Sequence, residues 1–287
     1  MDAIKTTSLT KYYGKSRGIT DMNLTVAQGD FFGFIGPNGA GKSTTIRTLL
    51  GLIAPSDGSA QILGMDIGRQ KEEILSRVGY MPSEASFYRN MRVKDVIKFS
   101  AALRHRDCGT EAKRLCERLE LDVNKKIREL SLGNRKKVSI VCALQHMPEL
   151  CILDEPTSGL DPLMQREFYA ILEERNKDGA TIFVSSHILT EVQRYCRHAA
   201  VIRNGRLLAS DSTQRLGHTD TKRVRLKGVK LPLDLPNMKD VQTDGECVSF
   251  LYGGNLKDLL NVLAGLPLTD VSITEPDLEE IFMHYYG

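Results

Sequence analysis

The run Gly36-Pro37-Asn38-Gly39-Ala40-Gly41-Lys42-Ser43-Thr44 has the residue types and spacing of a phosphate-binding loop. Its glycines let a tight turn aim backbone N–H groups inward, where phosphate oxygens can accept them. Lys42 supplies a point charge for the β- and γ-phosphates, and the Ser43 hydroxyl can ligate Mg²⁺. Further on, Leu150-Cys151-Ile152-Leu153-Asp154-Glu155 is an apolar run that ends in two carboxylates. Asp154 suits the Mg²⁺ shell, and Glu155 suits the polarising of an attacking water. In Ser185-Ser186-His187 an imidazole follows another apolar run, where it can contact a γ-phosphate or that water. Ser131 and Gly133, within Leu130-Ser131-Leu132-Gly133-Asn134, precede a helix over 135–144 and make a second anion-binding helix terminus.

These groups need strands and helices to hold them. Phe31-Phe32-Gly33-Phe34-Ile35 reads as a buried strand entering the loop, and residues 45–50 read as the start of the helix leaving it. Alternating residues 4–9 and 18–26 read as strands, separated by a turn at Tyr13-Gly14. Pro55-Ser56-Asp57-Gly58 signals a turn, followed by a short strand at 61–63, a polar segment and a buried strand at 78–81. Between 93 and 144 the apolar residues take helical spacing. Strands return at 150–153 and 181–184, flanking a polar helix over 162–175. Asn204-Gly205 marks a hairpin. Beyond a composition shift at 217–220, strands at 223–229, 247–252 and 271–273 and helices at 256–264 and 277–286 form a small α/β appendage.

Composition narrows the function. Basic residues outnumber acidic ones by 39 to 36, too small an excess to argue for nucleic acid. Arg135-Lys136-Lys137 is the one short basic run, read as a solvated helix face. No apolar run reaches the roughly 18 residues that span a bilayer, and residues 1–5 do not resemble a signal peptide. The 6 cysteines show neither paired nor metal-binding spacing, which fits a reducing cytosol. Action at a membrane therefore requires a partner.

Taken together, the motifs resemble those of the nucleotide-binding subunits of ABC transporters, over residues 2–216. Residues 130–134 are similar to the family's signature, Leu-Ser-Gly-Gly-Gln in its commonest form, with Leu132 in place of a Gly and Asn134 in place of the Gln. Ser131 and Gly133, the positions that contact phosphate in the family, are kept. The resemblance implies an α/β fold: a P-loop NTPase (RecA-like) core with an antiparallel β-subdomain and an inserted α-helical subdomain at about 91–145. The ATPase domain would cover 1–216 and a small C-terminal α/β domain 217–287.

Carried over by position, the resemblance makes Tyr13 the aromatic that stacks on adenine, in preference to Tyr12, and gives His187 a switch role. Ser158-Gly159-Leu160-Asp161 resembles the loop that crosses a dimer interface. Two copies would sandwich two ATP molecules, each between Lys42 of one copy and Ser131 of the other. The family's Gln linking Mg²⁺ to the membrane subunit is missing from Tyr80-Met81-Pro82-Ser83-Glu84. Ser83, Glu84 or a water-mediated contact stands in for it. A separate membrane permease would dock around 83–105, with Phe87 and Tyr88 as contacts, placing the chain on the cytoplasmic face of the membrane. The ending Thr274-Glu275-Pro276-Asp277-Leu278-Glu279-Glu280-Ile281-Phe282 resembles the tail of ABC-2-type exporter ATPases, favouring export of a peptide, antibiotic, lipid or polysaccharide over import. A translation ATPase would carry two cassettes, and a repair ATPase long coiled coils; neither pattern is present.

Overall fold

A computed structural model describes the chain apart from Lys15, Ala85, His105, residues 218–220 and 230–234, Glu275 and residues 277–287. The helix expected over 277–286 lies outside the described residues. The chain divides into two units, Met1–Asp211 and Ser212–Gly287.

The first unit opens with β1 (Asp2–Tyr13), β2 (Ser16–Met22) and β3 (Thr25–Ala27). Strand β4 (Phe31–Ile35) leads through the glycine-rich loop into α1 (Lys42–Leu49). Then come β5 (Asp57–Ile62), β6 (Met65–Asp66), α2 (Lys71–Arg77) and β7 (Val78–Met81). A helical stretch follows, α3 (Val93–Ala102), α4 (Gly109–Arg118) and α5 (Leu132–Leu144). The chain next alternates through β8 (Leu150–Asp154), α6 (Pro162–Lys177), β9 (Thr181–Ser186) and α7 (Leu189–Tyr195). The hairpin strands β10 (His198–Arg203) and β11 (Arg206–Ser212) close the first unit, and the short α8 (Thr213–Gly217) opens the second.

Strands β4, β8 and β9 are buried along their whole length, as expected of inner strands in a parallel sheet covered on both faces. They belong to a sheet of order β11-β10-β4-β9-β8-β7. From β10 to β7 every neighbouring pair is parallel, so the carboxyl ends gather at one edge. Registration sets Ile35 beside Ser186, and Asp154 beside Ser185. Ligands of open α/β sheets bind at such an edge. An antiparallel sheet of order β2-β1-β5-β6, with β3 also on β1, forms a second layer. Helix α1 touches β8 of one sheet and β2 and β5 of the other. Its Ile46 and Leu49 share one apolar core with Phe34, Phe183, Leu9 and Ile62.

The second unit contains β12 (Lys222–Lys227), β13 (Met238–Asp244), β14 (Cys247–Tyr252), α9 (Leu256–Ala264) and β15 (Asp270–Thr274). Its antiparallel sheet runs β13-β14-β12-β15. Val224, Leu226, Phe250 and Tyr252 of the sheet pack with Leu259 and Leu263 of α9 in a core of their own.

The sequence reading needs correction in places. Helix α1 begins at Lys42 rather than Thr45, because Gly41 at φ 112° turns the chain directly into it. Residues Asp57 and Gly58, read as a turn, open β5. The Arg135-Lys136-Lys137 run is not a solvated face: Lys136 is 5% exposed and Lys137 9%. Helix α5 packs against β7, α3 and α4, so residues from Lys136 through Val141 are all buried.

Candidate active site

The loop after β4 ends on Gly41, which gives α1 no side-chain cap and leaves its first N–H groups to an anion. Lys42 is buried beneath the loop, and its Nζ donates to Gly36 O at 2.6 Å and Pro37 O at 3.2 Å. The same Nζ lies 3.2 Å from Glu155 Oε1. These oxygens match the three donors of an ammonium group.

Adjacent carboxylates at the end of β8 take different surroundings because the backbone turns sharply between them. Asp154 is 1% exposed and its Oδ1 accepts a 2.5 Å hydrogen bond from Ser185 Oγ on β9. Glu155 follows at φ 46°, a left-handed conformation costing a non-glycine residue about 1–3 kcal/mol. Its N–H donates to Ser185 O at 3.2 Å and Ser185 Oγ at 3.1 Å, which holds the turn. The Glu155 carboxylate then faces Lys42 through Oε1 and His187 through Oε2, with His187 Nδ1 at 3.3 Å. Lys42, Glu155 and His187 therefore meet at one point although they come from three separate segments.

A cavity of about 200 Å³ runs from this point along the loop. Pro37, Asn38, Gly39, Gly41, Lys42, Ser43 and Thr44 line it, with Glu155 at one side and Tyr13 and Gly18 at another. Tyr13 is thus placed at the cavity, whereas the equally exposed Tyr12 does not line it. Lys11 Nζ lies 5.7 Å from the Tyr13 ring centre. A larger hollow of about 630 Å³ between α3 and α4 is walled by Ile97, Ala112 and Cys116 and carries none of this chemistry. The small polar cavity is the candidate site.

Ser131 and Gly133 do not line this cavity. Ser131 caps α5, its Oγ accepting from Asn134 N at 3.2 Å. A Cβ on Gly133 would stand 2.9 Å from Gly159 O, so only glycine allows this close approach. A Cβ on Gly159 would meet Leu132 Cδ2 at 3.3 Å, so Leu132 lies over that glycine. The signature and the 158–161 loop are therefore packed together. Ser158 and Gly159 are exposed, Leu160 turns inward, and Asp161 caps α6 through Leu163 N and Met164 N at 3.1 and 3.0 Å.

Ser83 is half-buried, and its carbonyl accepts from Lys136 Nζ at 2.7 Å. Lys136 Nζ also donates to Glu155 O at 2.9 Å. Burial lowers the Lys136 ammonium below the usual lysine range, and Asp154, Glu155 and Glu84 oppose that shift. Among the described residues no cluster of three or more His, Cys, Asp or Glu could hold a metal by itself. A Mg²⁺ ion needs no such cluster, since one or two protein oxygens suffice when phosphate and water complete its shell.

Sequence reasoning missed Lys136, Ser185 as the residue holding the Asp154 carboxylate and the Glu155 backbone N–H, and Glu191. Glu191 Oε2 accepts from Thr157 Oγ1 at 3.1 Å, Tyr169 Oη at 3.0 Å and Ser186 Oγ at 3.4 Å, tying the segment after Glu155 to the one before His187. Its position four residues after His187, in the first turn of α7, was the available signal.

A glycine-rich loop between strand and helix, facing a strand-end carboxylate and a histidine, defines a P-loop ATPase. The sequence profile described as ABC transporter matches residues 19–158. The chain is 35% identical to the bacitracin transport ATP-binding protein of Bacillus licheniformis, an alignment spanning 99% of this chain and 97% of that one. It is 28% identical to the linearmycin resistance ATP-binding protein of Bacillus subtilis, over 98% and 97% of the two chains. A solved ATP-binding subunit of an ABC transporter superposes with a TM-score of 0.70 at 30% identity, covering 75% of this chain and 91% of that one. A dimeric bacterial ABC transporter cassette shares the fold, with a TM-score of 0.67 at 24% identity over 73% and 98% of the chains. The chain belongs to the ATP-binding proteins of ABC transporters. It is an ATPase whose hydrolysis is coupled to transmembrane transport. Among the described residues no helix is long and apolar enough to cross a membrane.

Proposed function

We propose that this chain powers export, working as a pair of copies on a separate membrane permease, with an antibiotic-like peptide or lipid as cargo. The observation that carries the reading is the extent of the likeness to the bacitracin transport protein: it spans both units, the C-terminal one included. The linearmycin resistance relative supports the same direction over a similar span.

In the proposed reaction, Glu155 orients the attacking water and His187 contacts the γ-phosphate. Lys42 exchanges its bond to Glu155 for the β- and γ-phosphates. Ser43 and Asp154 would hold Mg²⁺, which supplies charge neutralisation at the phosphate oxygens. Ser131 and Gly133 of a second copy close the site, so ATP joins two copies and hydrolysis releases them. Binding to the permease would keep the chain on the cytoplasmic face of the membrane. Tyr88, 73% exposed, and the exposed Phe99 and Leu103 support docking around 83–105.

The test is expression with the adjacent-coded membrane protein in a sensitive host. Export predicts raised resistance to bacitracin or linearmycin that Glu155→Gln abolishes. Unchanged resistance, with solute uptake that depends on both proteins, would replace export by import.

A further inference from the structure

Lys136 is a charged side chain in the interior, and its known bonds go to main-chain carbonyls. One belongs to Glu155 at 2.9 Å and the other to Ser83 at 2.7 Å. Glu155 is the residue whose backbone most needs support, since it stands at φ 46° directly after a strand. Ser185 secures its N–H side. Lys136 secures its carbonyl side, so the peptide planes on both sides of the Glu155 Cα are fixed. Parallel pairing of β7 with β8 brings the Ser83 turn beside the end of β8, and the ammonium spans the gap. A long, flexible stem carrying several donors suits that task; an apolar residue would leave both carbonyls without this donor.

We propose that Lys136 is a positioning residue for hydrolysis: from α5 it holds the Glu155 backbone in its turned conformation and links it to the Ser83 turn. A movement of either α5 or the Ser83 turn would then reach the Glu155 carboxylate through one side chain. The proposal rests on Glu155 as the residue that orients the water.

Lys136→Met, Lys136→Gln and Lys136→Arg in the full chain test it by steady-state ATPase kinetics and by single turnover with γ-labelled ATP. Misplacing a reacting group by about 1 Å can cost about 100-fold, so Lys136→Met is expected to lower kcat by about tenfold to 100-fold. Its KM for ATP is expected to stay within about twofold, since the phosphate loop is untouched, and Lys136→Arg is expected to recover most of the rate. Combined with Glu155→Gln, Lys136→Met adds no further loss, because both act through one group. An unchanged kcat in Lys136→Met, a rise in KM without a fall in kcat, or additive losses in the double variant would overturn the proposal. If Lys136→Met does not fold, the Gln and Arg variants decide by the same kcat and KM criteria. Near-normal turnover in Glu155→Gln alone would instead remove the role given to Glu155.

Discussion

Lys42 Nζ and Glu155 Oε1 lie 3.2 Å apart, so the ammonium under the glycine-rich loop and the carboxylate that follows β8 hold each other. In the proposed reaction an incoming phosphate takes the lysine from the glutamate, and the freed carboxylate turns to the water. The two proposed roles would then be exchanged through a single ion pair. We expect Glu155→Gln to bind nucleotide about threefold more tightly, the worth of a partly exposed ion pair, by titration of a fluorescent ATP analogue without divalent cation. Weaker binding would mean that the pair preorganises Lys42 rather than competing for it.

Tyr13 lines the cavity and Tyr12 does not. Stacking on a base is worth about 1–3 kcal/mol by alanine substitution. Tyr13→Ala should therefore weaken ATP binding by about tenfold, while Tyr12→Ala leaves it near normal. Equal losses would assign adenine to neither ring.

Gly133 meets Gly159 O too closely for a side chain. We expect Gly133→Ala to push the signature and the 158–161 loop apart, lowering ATPase activity at least about tenfold while ATP binding to the separate copy is kept. Normal turnover would show that this contact can relax without consequence.

His146 gives the fold a pH dependence. Burial, helped by the positive charge of Arg104, pulls its imidazole down to about 4 from 6.5, although Nε2 contacts Val78 O at 3.3 Å. The unfolded chain therefore binds this proton more readily. Stability is full above pH 6.5 and falls as the pH drops from 6.5 towards 4, by no more than about 3 kcal/mol. His146→Gln should flatten the decline of Tm across that window. An unaltered slope would place the dependence elsewhere.

The parts of the site legible in the sequence were those carried by apolar strands. β4, β8 and β9 are buried on both faces, so unbroken apolar runs led to Lys42, Asp154 and His187. Short elements were less visible. Helices α2 and α7 each bury a single apolar residue, Ile74 or Val192, and β13 is exposed over nearly all its length, so no periodicity marks them. Lys136 misled because a basic run ordinarily faces water; its burial follows from carbonyls supplied by two other segments. The turned backbone of Glu155 has no sequence signature, since glycine is the residue expected at positive φ.

The central claim, that ATP joins two copies and is cleaved at Glu155, is tested most directly by sedimentation velocity on the full-length Glu155→Gln chain. With Mg²⁺ and saturating ATP we predict a dimer retaining two ATP per pair, reverting to monomer when ATP is removed. A monomer at saturating ATP, or a dimer that hydrolyses its nucleotide at the unsubstituted rate, would contradict it.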